Sequence, residues 1–224
     1  MARLEAIDLY RFYHAGEDET LALRGVSLQV NEGETVVVAG PSGSGKSTLL
    51  ACLAGIDEPD GGHVVVDGER MSRRDETTRA ALRATKLGIL LQSGNLFDHL
   101  TVEQNIRLQL GLAGKAPGER RGSRIDEVLE LVGLTHRRNA RPAQLSGGEA
   151  ARAGLAVALA PAPPVLLADE PTGEVDAETE QRILQIFDDH KRDGGASLIV
   201  THSAVVAGRA DRIIHLLDGR IADA

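Results

Sequence analysis

The stretch TVVVAGPSGSGKSTLL, residues 35–50, runs from a β-branched apolar segment through a glycine-rich turn into an apolar, helix-like segment. Its centre, Gly40-Pro41-Ser42-Gly43-Ser44-Gly45-Lys46-Ser47, fits G-x-x-x-x-G-K-[ST] in full, and Thr48 follows directly. A strand that feeds such a turn at the start of a helix is a phosphate cradle. The glycines let backbone N–H groups turn inward where side chains would intrude, and the helix N-terminus favours an anion. Lys46 brings a point charge to the β- and γ-phosphates, and the Ser47 hydroxyl suits Mg²⁺. The stretch therefore predicts a nucleoside triphosphate site in an α/β core.

Farther along, VLLADE (165–170) is an apolar strand ending in two carboxylates. A strand buried between helices delivers its last side chains to the phosphate edge of a parallel sheet. Asp169 then belongs to the Mg²⁺ shell, and Glu170 is placed to orient and deprotonate an attacking water. Gln92 ends the apolar run KLGILLQ, and His202 follows SLIVT; position alone assigns neither of them a role. LSGGEAARAGLAVALA (145–160) opens a helix, with Ser146 and Glu149 at capping-box spacing. Gly147 and Gly148 would weaken a plain first turn, so this start reads as a second phosphate cradle.

Around these motifs, LRGVSLQV (23–30) and HVVVDGER (63–70) read as strands, with turns at NEGE and at Asp67-Gly68. Residues 77–85 have a helical pattern, and KLGILLQ reads as a buried strand ending at Gln92. From Ser93 to Ala160 the chain reads as a mostly helical insertion. IDEVLELVGL is helical, and GLAGKAPGERRGS is a flexible, charged connection. Parallel-sheet character returns with PVLLADEP, a helix from Ala177 to about Lys191, ASLIVTH and a terminal hairpin in RIIHLLDGRI.

The 224 residues suffice for one large α/β domain. A net charge of −8 argues against sequence-independent nucleic-acid binding, and two Tyr, three Phe and no Trp make a poor base-stacking platform. The single cysteine, Cys52, lies in LLACLAG and reads as a buried helical thiol in a reducing compartment. No secretory pattern opens the chain. The most apolar region, Leu155 to Ala168, is broken by Pro161, Pro163 and Pro164, so a soluble protein without direct membrane insertion is expected.

GPSGSGKST, the strand-terminal Gln92, LSGGE, LLADE, PTGEVD and the strand-terminal His202 occur in this order. The combination resembles the ATP-binding subunit of ABC transporters across essentially the whole chain. The resemblance implies a P-loop NTPase: a mainly parallel core sheet, an N-terminal antiparallel β portion and a helical subdomain insertion. One ABC-type domain, 1–224, is expected, with a core at about 1–92 and 161–224 and a helical subdomain at about 93–160. Tyr13 is similar to the aromatic that stacks on adenine, although Tyr10 and Phe12 are close enough to blur that choice. Gln92 resembles the residue that senses Mg²⁺ and water, and His202 the switch residue that contacts the γ-phosphate and steadies Glu170. Asp176 resembles the acidic residue of the loop crossing the dimer interface. The second cradle then has an explanation: Ser146, Gly147, Gly148 and Glu149 of one subunit would face the nucleotide on the other's P-loop.

The resemblance implies ATP and Mg²⁺ as cofactors, an ATP-induced homodimer and an integral-membrane permease partner. It places the protein in the cytoplasm, peripheral on the inner membrane face through that permease. ALRGVSLQV, LLACLAGIDEPDGG, NLFDHLTVEQN and LADEPTGEVD look most like the branch of lipoprotein-release, macrolide-export and cell-division ATPases. A regulatory or motion-transmitting ABC ATPase is the alternative. A small-molecule kinase is disfavoured by LSGGE and His202. Three positions depart from the common pattern: Val157 where an Arg is frequent, Glu174 in PTGEVD, and DGGHV where a Ser-Gly pair is common. None removes a catalytic group, and Glu174 is expected to add weak like-charge repulsion at the seam.

Overall fold

The computed structural model describes residues 1–15, 18–114, 119–173 and 175–222. In chain order these form β1 (Ala2–Ala15), β2 (Asp18–Asn31), β3 (Thr35–Ala39), α1 (Lys46–Leu53), β4 (Gly61–Val66), β5 (Glu69–Arg70), α2 (Glu76–Lys86) and β6 (Leu87–Leu90). There follow α3 (Val102–Leu112), α4 (Glu119–Leu131), α5 (Gly147–Leu159), β7 (Val165–Asp169), α6 (Ala177–Arg192), β8 (Ala196–Val200), α7 (Ala204–Ala207), β9 (Arg212–Leu217) and β10 (Arg220–Ala222).

Among the described residues there are two sheets. One is antiparallel, ordered β2-β1-β4-β5; the other is ordered β10-β9-β3-β8-β7-β6 and is parallel except for the terminal hairpin of β9 and β10. The central parallel strands are apolar at successive positions because both of their faces are covered. Val36, Val38, Leu167 and Leu198 pack with α1 and the antiparallel sheet. Val37, Leu166 and Ile199 point the other way, against Ile106, Leu129, Leu155 and Phe187 of α3 to α6. Cys52 is buried in α1, as its apolar neighbours predict.

Because β3, β8, β7 and β6 are parallel neighbours, the turns after them open on one edge. That edge collects the P-loop, His202, the Asp169–Glu170 pair and Gln92.

Two readings need correction. The strand before Gln92 stops at Leu90, because the Asn95 side chain takes over the backbone of Leu91. Leu91 N–H donates to Asn95 Oδ1 at 2.8 Å, and Asn95 Nδ2 donates to the Leu91 carbonyl at 2.6 Å. The connection GLAGKAPGERRGS is shorter than its composition predicts, since α3 continues through Leu112 and α4 already begins at Glu119. Arg124 fastens α4 to the end of α5, donating to the carbonyls of Ala160 at 3.0 Å and Leu159 at 2.8 Å. Residues 115–118 lie outside the described residues, as does Glu174, so the expected seam repulsion stays an expectation.

Candidate active site

A cavity of about 750 Å³ opens at the strand edge. Ser42, Gly43, Gly45, Lys46, Ser47 and Thr48 line it from the P-loop; Gln92, Asp169, Glu170 and His202 line it from the neighbouring strand ends, and Tyr13 from β1. Gly40, Pro41 and Ser44 belong to the same loop but do not line this cavity. Gly45 has φ 101°, and a Cβ there would come within 2.5 Å of the Ala22 carbonyl, so the loop needs glycine on both counts. Lys46 is nearly buried, and its ammonium donates to the carbonyls of Gly40 and Pro41, both at 2.8 Å. Those bonds hold the cation across the mouth of the loop. The Ser44 hydroxyl is buried without a partner among the described residues, and a Cβ on Gly43 would meet none of them closely. The cradle has the room and the donors that a polyphosphate requires.

Ser47 Oγ and Asp169 Oδ2 lie 3.5 Å apart. Burial, reinforced by the Glu170 charge, pushes the Asp169 carboxyl above its ordinary value, against the hydrogen bond from Ser47. A cation beside it would relieve that penalty. Among the described residues no group of three or more His, Cys, Asp or Glu could hold a metal by itself. Ser47 and Asp169 fit Mg²⁺ instead, which keeps several waters and takes phosphate oxygens beside one or two protein ligands.

Glu170 has φ 46°, a left-handed conformation uncommon for a residue with a side chain. Its N–H donates to the Val200 carbonyl at 2.9 Å. One carboxylate oxygen accepts the Thr201 hydroxyl at 2.9 Å, and the other accepts the His202 N–H at 3.0 Å. The His202 imidazole is mostly exposed, with Nε2 3.8 Å from Glu170 Oε1. The buried Thr201 has no sequence signature, and its part in holding Glu170 emerges only from the pairing of β7 with β8.

The LSGGE segment starts α5 with a complete capping box. Ser146 Oγ accepts the Glu149 N–H at 3.2 Å, and Glu149 Oε2 accepts the Ser146 N–H at 2.9 Å. Arg137 makes two further bonds to Glu149, at 2.7 and 3.2 Å, and holds its carboxyl down at about 2. The Glu149 carboxylate is thus engaged within its own chain. Gly148 sits against the start of α6: a Cβ there would come within 3.2 Å of Thr179 Oγ1, a tight contact, and 3.6 Å of Asp176 Oδ2. Asp176 caps α6, accepting the Thr179 N–H at 2.9 Å and hydroxyl at 2.8 Å, and the N–H bond lowers its carboxyl pKa. Ser146, Gly147, Gly148 and Glu149 do not line the 750 Å³ cavity; Gly147 lines an adjoining cleft of about 320 Å³ shared with Gln92 and Glu170.

A phosphate cradle, an acidic strand end for a cation and a carboxylate poised for water define a P-loop nucleoside triphosphatase. The comparisons make the class specific. The family model described as ABC transporter matches residues 23–173. An uncharacterized ABC transporter ATP-binding protein of Thermotoga maritima is 44% identical over 218 residues, covering 97% of this chain and 93% of the relative. The ATP-binding cassette MJ0796, solved as a dimer in a post-hydrolysis state with ADP and Pi, is similar at TM-score 0.92 and 37% identity, over 98% of this chain and 97% of that one. A second dimeric structure of MJ0796, a bacterial ABC transporter cassette, is similar at TM-score 0.92 and 36% identity over the same shares, 98% and 97%. The chain belongs to the ABC transporter family and is an ABC-type ATPase, whose cofactors are ATP and Mg²⁺.

Proposed function

We propose that the chain forms an ATP-induced homodimer that drives an integral-membrane permease, in the branch of lipoprotein-release, macrolide-export and cell-division ATPases. The observation that carries the dimer is the separation of the two cradles. LSGGE opens a helix N-terminus toward anions, yet it does not line its own chain's P-loop cavity. Pairing two chains head to tail gives each P-loop the other's Ser146, Gly147 and Gly148. Asp176, beside Gly148, then lies at the seam. The relatives solved as dimers support this arrangement.

Within each site Tyr13 supports adenine, and the P-loop with Lys46 binds the phosphates. Ser47 and Asp169, with Gln92 nearby, hold Mg²⁺, which when bound neutralises phosphate charge. Glu170 orients a water and accepts its proton as the water oxygen attacks the γ-phosphorus and the bond to the β–γ bridging oxygen breaks. His202 steadies Glu170 and reaches the γ-phosphate. ADP and phosphate leave, and the seam opens.

The permease would dock on a groove of about 620 Å³ between the span 93–160 and the core, lined by Ile56, Leu91, Phe97, Leu112 and Val157. Ile56, Phe97 and Leu112 are 55%, 57% and 63% exposed, more bare apolar surface than a free face needs. Among the described residues no helix is long and apolar enough to cross a membrane. In the proposed assembly this groove is the point of attachment to the permease. In this reading residues 93–160 act as a helical subdomain against the core of 1–92 and 161–224, at the inner face of the cell membrane.

Light scattering of Glu170→Gln with saturating Mg-ATP tests the dimer: a doubling of mass is expected, and a persistent monomer overturns it. Purification from detergent-solubilised membranes tests the partner: a multi-span protein is expected with the parent chain and absent with Phe97→Asp. Recovery that ignores Phe97→Asp overturns the groove assignment.

A further inference from the structure

Behind Tyr13 stands a group of charges outside the catalytic chemistry. Arg11 Nε and Nη2 donate to Asp57 Oδ2 and Oδ1, both at 2.8 Å, in a two-pronged pair. Its Nη1 donates to Asp60 Oδ2 at 3.0 Å. Asp57 Oδ2 also accepts the Tyr13 hydroxyl, at 2.8 Å. The Arg11 guanidinium carbon lies 4.8 Å from the Tyr13 ring centroid, within cation–π range. Arg11 does not line the nucleotide cavity, whereas Tyr13 does. One face of the ring is therefore backed by a cation while the ring itself borders the cavity.

Asp57 is itself held firmly. Its N–H donates to the Ala51 carbonyl at 3.1 Å, and its Oδ1 accepts the Glu58 N–H at 2.9 Å. Ala51 belongs to α1, the helix that begins at Lys46. Asp60 adds a second fastening, accepting the Phe12 N–H at 2.8 Å, while its own N–H donates to the Tyr10 carbonyl at 2.9 Å. The C-terminal end of α1 is thereby connected, through Asp57, to the strand segment that carries Tyr13.

We infer that Asp57 and Arg11 are positioning residues for the nucleotide base: Asp57 fixes the Tyr13 ring by its hydroxyl, and Arg11 backs the ring face and locks Asp57. The inference rests on the reading of Tyr13 as the adenine platform. An exposed tyrosine samples several rotamers, and ordering it on binding costs affinity. A ring held in advance removes that cost, and only for ligands that carry a base.

Equilibrium binding of Mg-ATP and of Mg-tripolyphosphate, which lacks a base, separates the possibilities. Asp57→Ala and Arg11→Ala are expected to weaken ATP binding about tenfold, the scale of one charge-assisted hydrogen bond, and to leave tripolyphosphate unchanged. In turnover the loss appears in KM rather than kcat. Tyr13→Phe keeps the ring and removes only the hydroxyl, so it tests the clamp without threatening the fold; it should reproduce the ATP-selective loss. Asp57→Ala added to Tyr13→Ala should cost nothing more. Equal weakening of both ligands, an undiminished effect of Asp57→Ala in the Tyr13→Ala background, or parental ATP binding by Tyr13→Phe overturns the inference. Parental ATP binding by Tyr13→Ala instead overturns the platform reading itself.

Discussion

The Thr201 hydroxyl donates to Glu170 Oε2 at 2.9 Å from a position that is itself buried. Thr201 Oγ1 also accepts the Ser203 N–H at 3.0 Å, which orients the hydroxyl and leaves its proton for the carboxylate. The Glu170 carboxylate, the proposed general base, therefore stands in a fixed direction, set from the neighbouring strand end. Thr201→Val keeps the shape and deletes the bond. It is expected to lower kcat about tenfold, with the ATP KM within about twofold, because misdirecting a base affects the chemical step more than binding. Thr201→Ser should recover most of the rate in a steady-state phosphate-release assay. A Val variant with parental kcat would show that Glu170 is aimed without Thr201.

Gly88 in β6 faces α5 at a distance that admits no side chain. A Cβ there would approach Leu166 Cδ2 to 2.4 Å and the Ala158 carbonyl oxygen to 2.7 Å. Leu166 can turn aside, but the carbonyl is part of the α5 backbone. Gly88→Ala is expected to destabilise the fold by about 1–3 kcal/mol through overpacking, lowering the thermal midpoint by several degrees. An unchanged melting curve would mean that α5 shifts freely against the sheet.

The contrast between Gly88 and the P-loop marks what was legible in the sequence. The P-loop and VLLADE are contiguous, and their spacing carries the chemistry, so the parallel core and the phosphate edge followed from the residues directly. β1 carries no such clean pattern. Leu4 and Ala6 are buried at period two, but a register irregularity and φ 49° at Asp8 reverse the phase, and Leu9 is the next core residue. A further irregularity between Arg11 and Phe12 is why Tyr10, Phe12 and Tyr13 could not be ranked from spacing. In the fold Tyr10 packs over Gly61, while Tyr13 lines the cavity. Thr201 and Asp57 were invisible for another reason. Each acts on a residue 31 or 44 positions away, through strand and helix pairing that no local pattern records. The charged composition of GLAGKAPGERRGS does not mark the ends of α3 and α4: Gly111 and Gly122 each sit inside a helix, with nothing among the described residues close to a Cβ placed there.

Cys52 is almost wholly buried in α1, and burial pushes its thiol up to about 12. At neutral pH the thiolate that attacks disulfide reagents is scarce, and the reagent has no path to it. Cys52 is expected to react with an aromatic disulfide only as fast as the protein opens, with labelling suppressed further by Mg-ATP. Rapid stoichiometric labelling of the native protein would place α1 at the surface and contradict its position between the two sheets.

Glu149 gives α5 a pH-dependent start. Arg137, with the Ser146 N–H, lowers its carboxyl to about 2 from an ordinary value of 4.5. A depressed folded-state pKa contributes stability above the unfolded value, and that contribution is lost as pH falls from about 4.5 toward about 2. Glu149→Gln isolates the charge, because glutamine at this position can still complete the capping box with Ser146 but cannot form the ion pair with Arg137. Urea unfolding midpoints measured from pH 6 downward should fall more steeply for the parent than for Glu149→Gln below about pH 4.5, with the two curves converging at the acid end. Raised salt should narrow the gap, since Glu149 and Arg137 lie near the surface. Parallel pH curves for the two proteins would show that the ion pair forms equally in the unfolded chain and contributes nothing to holding LSGGE in place.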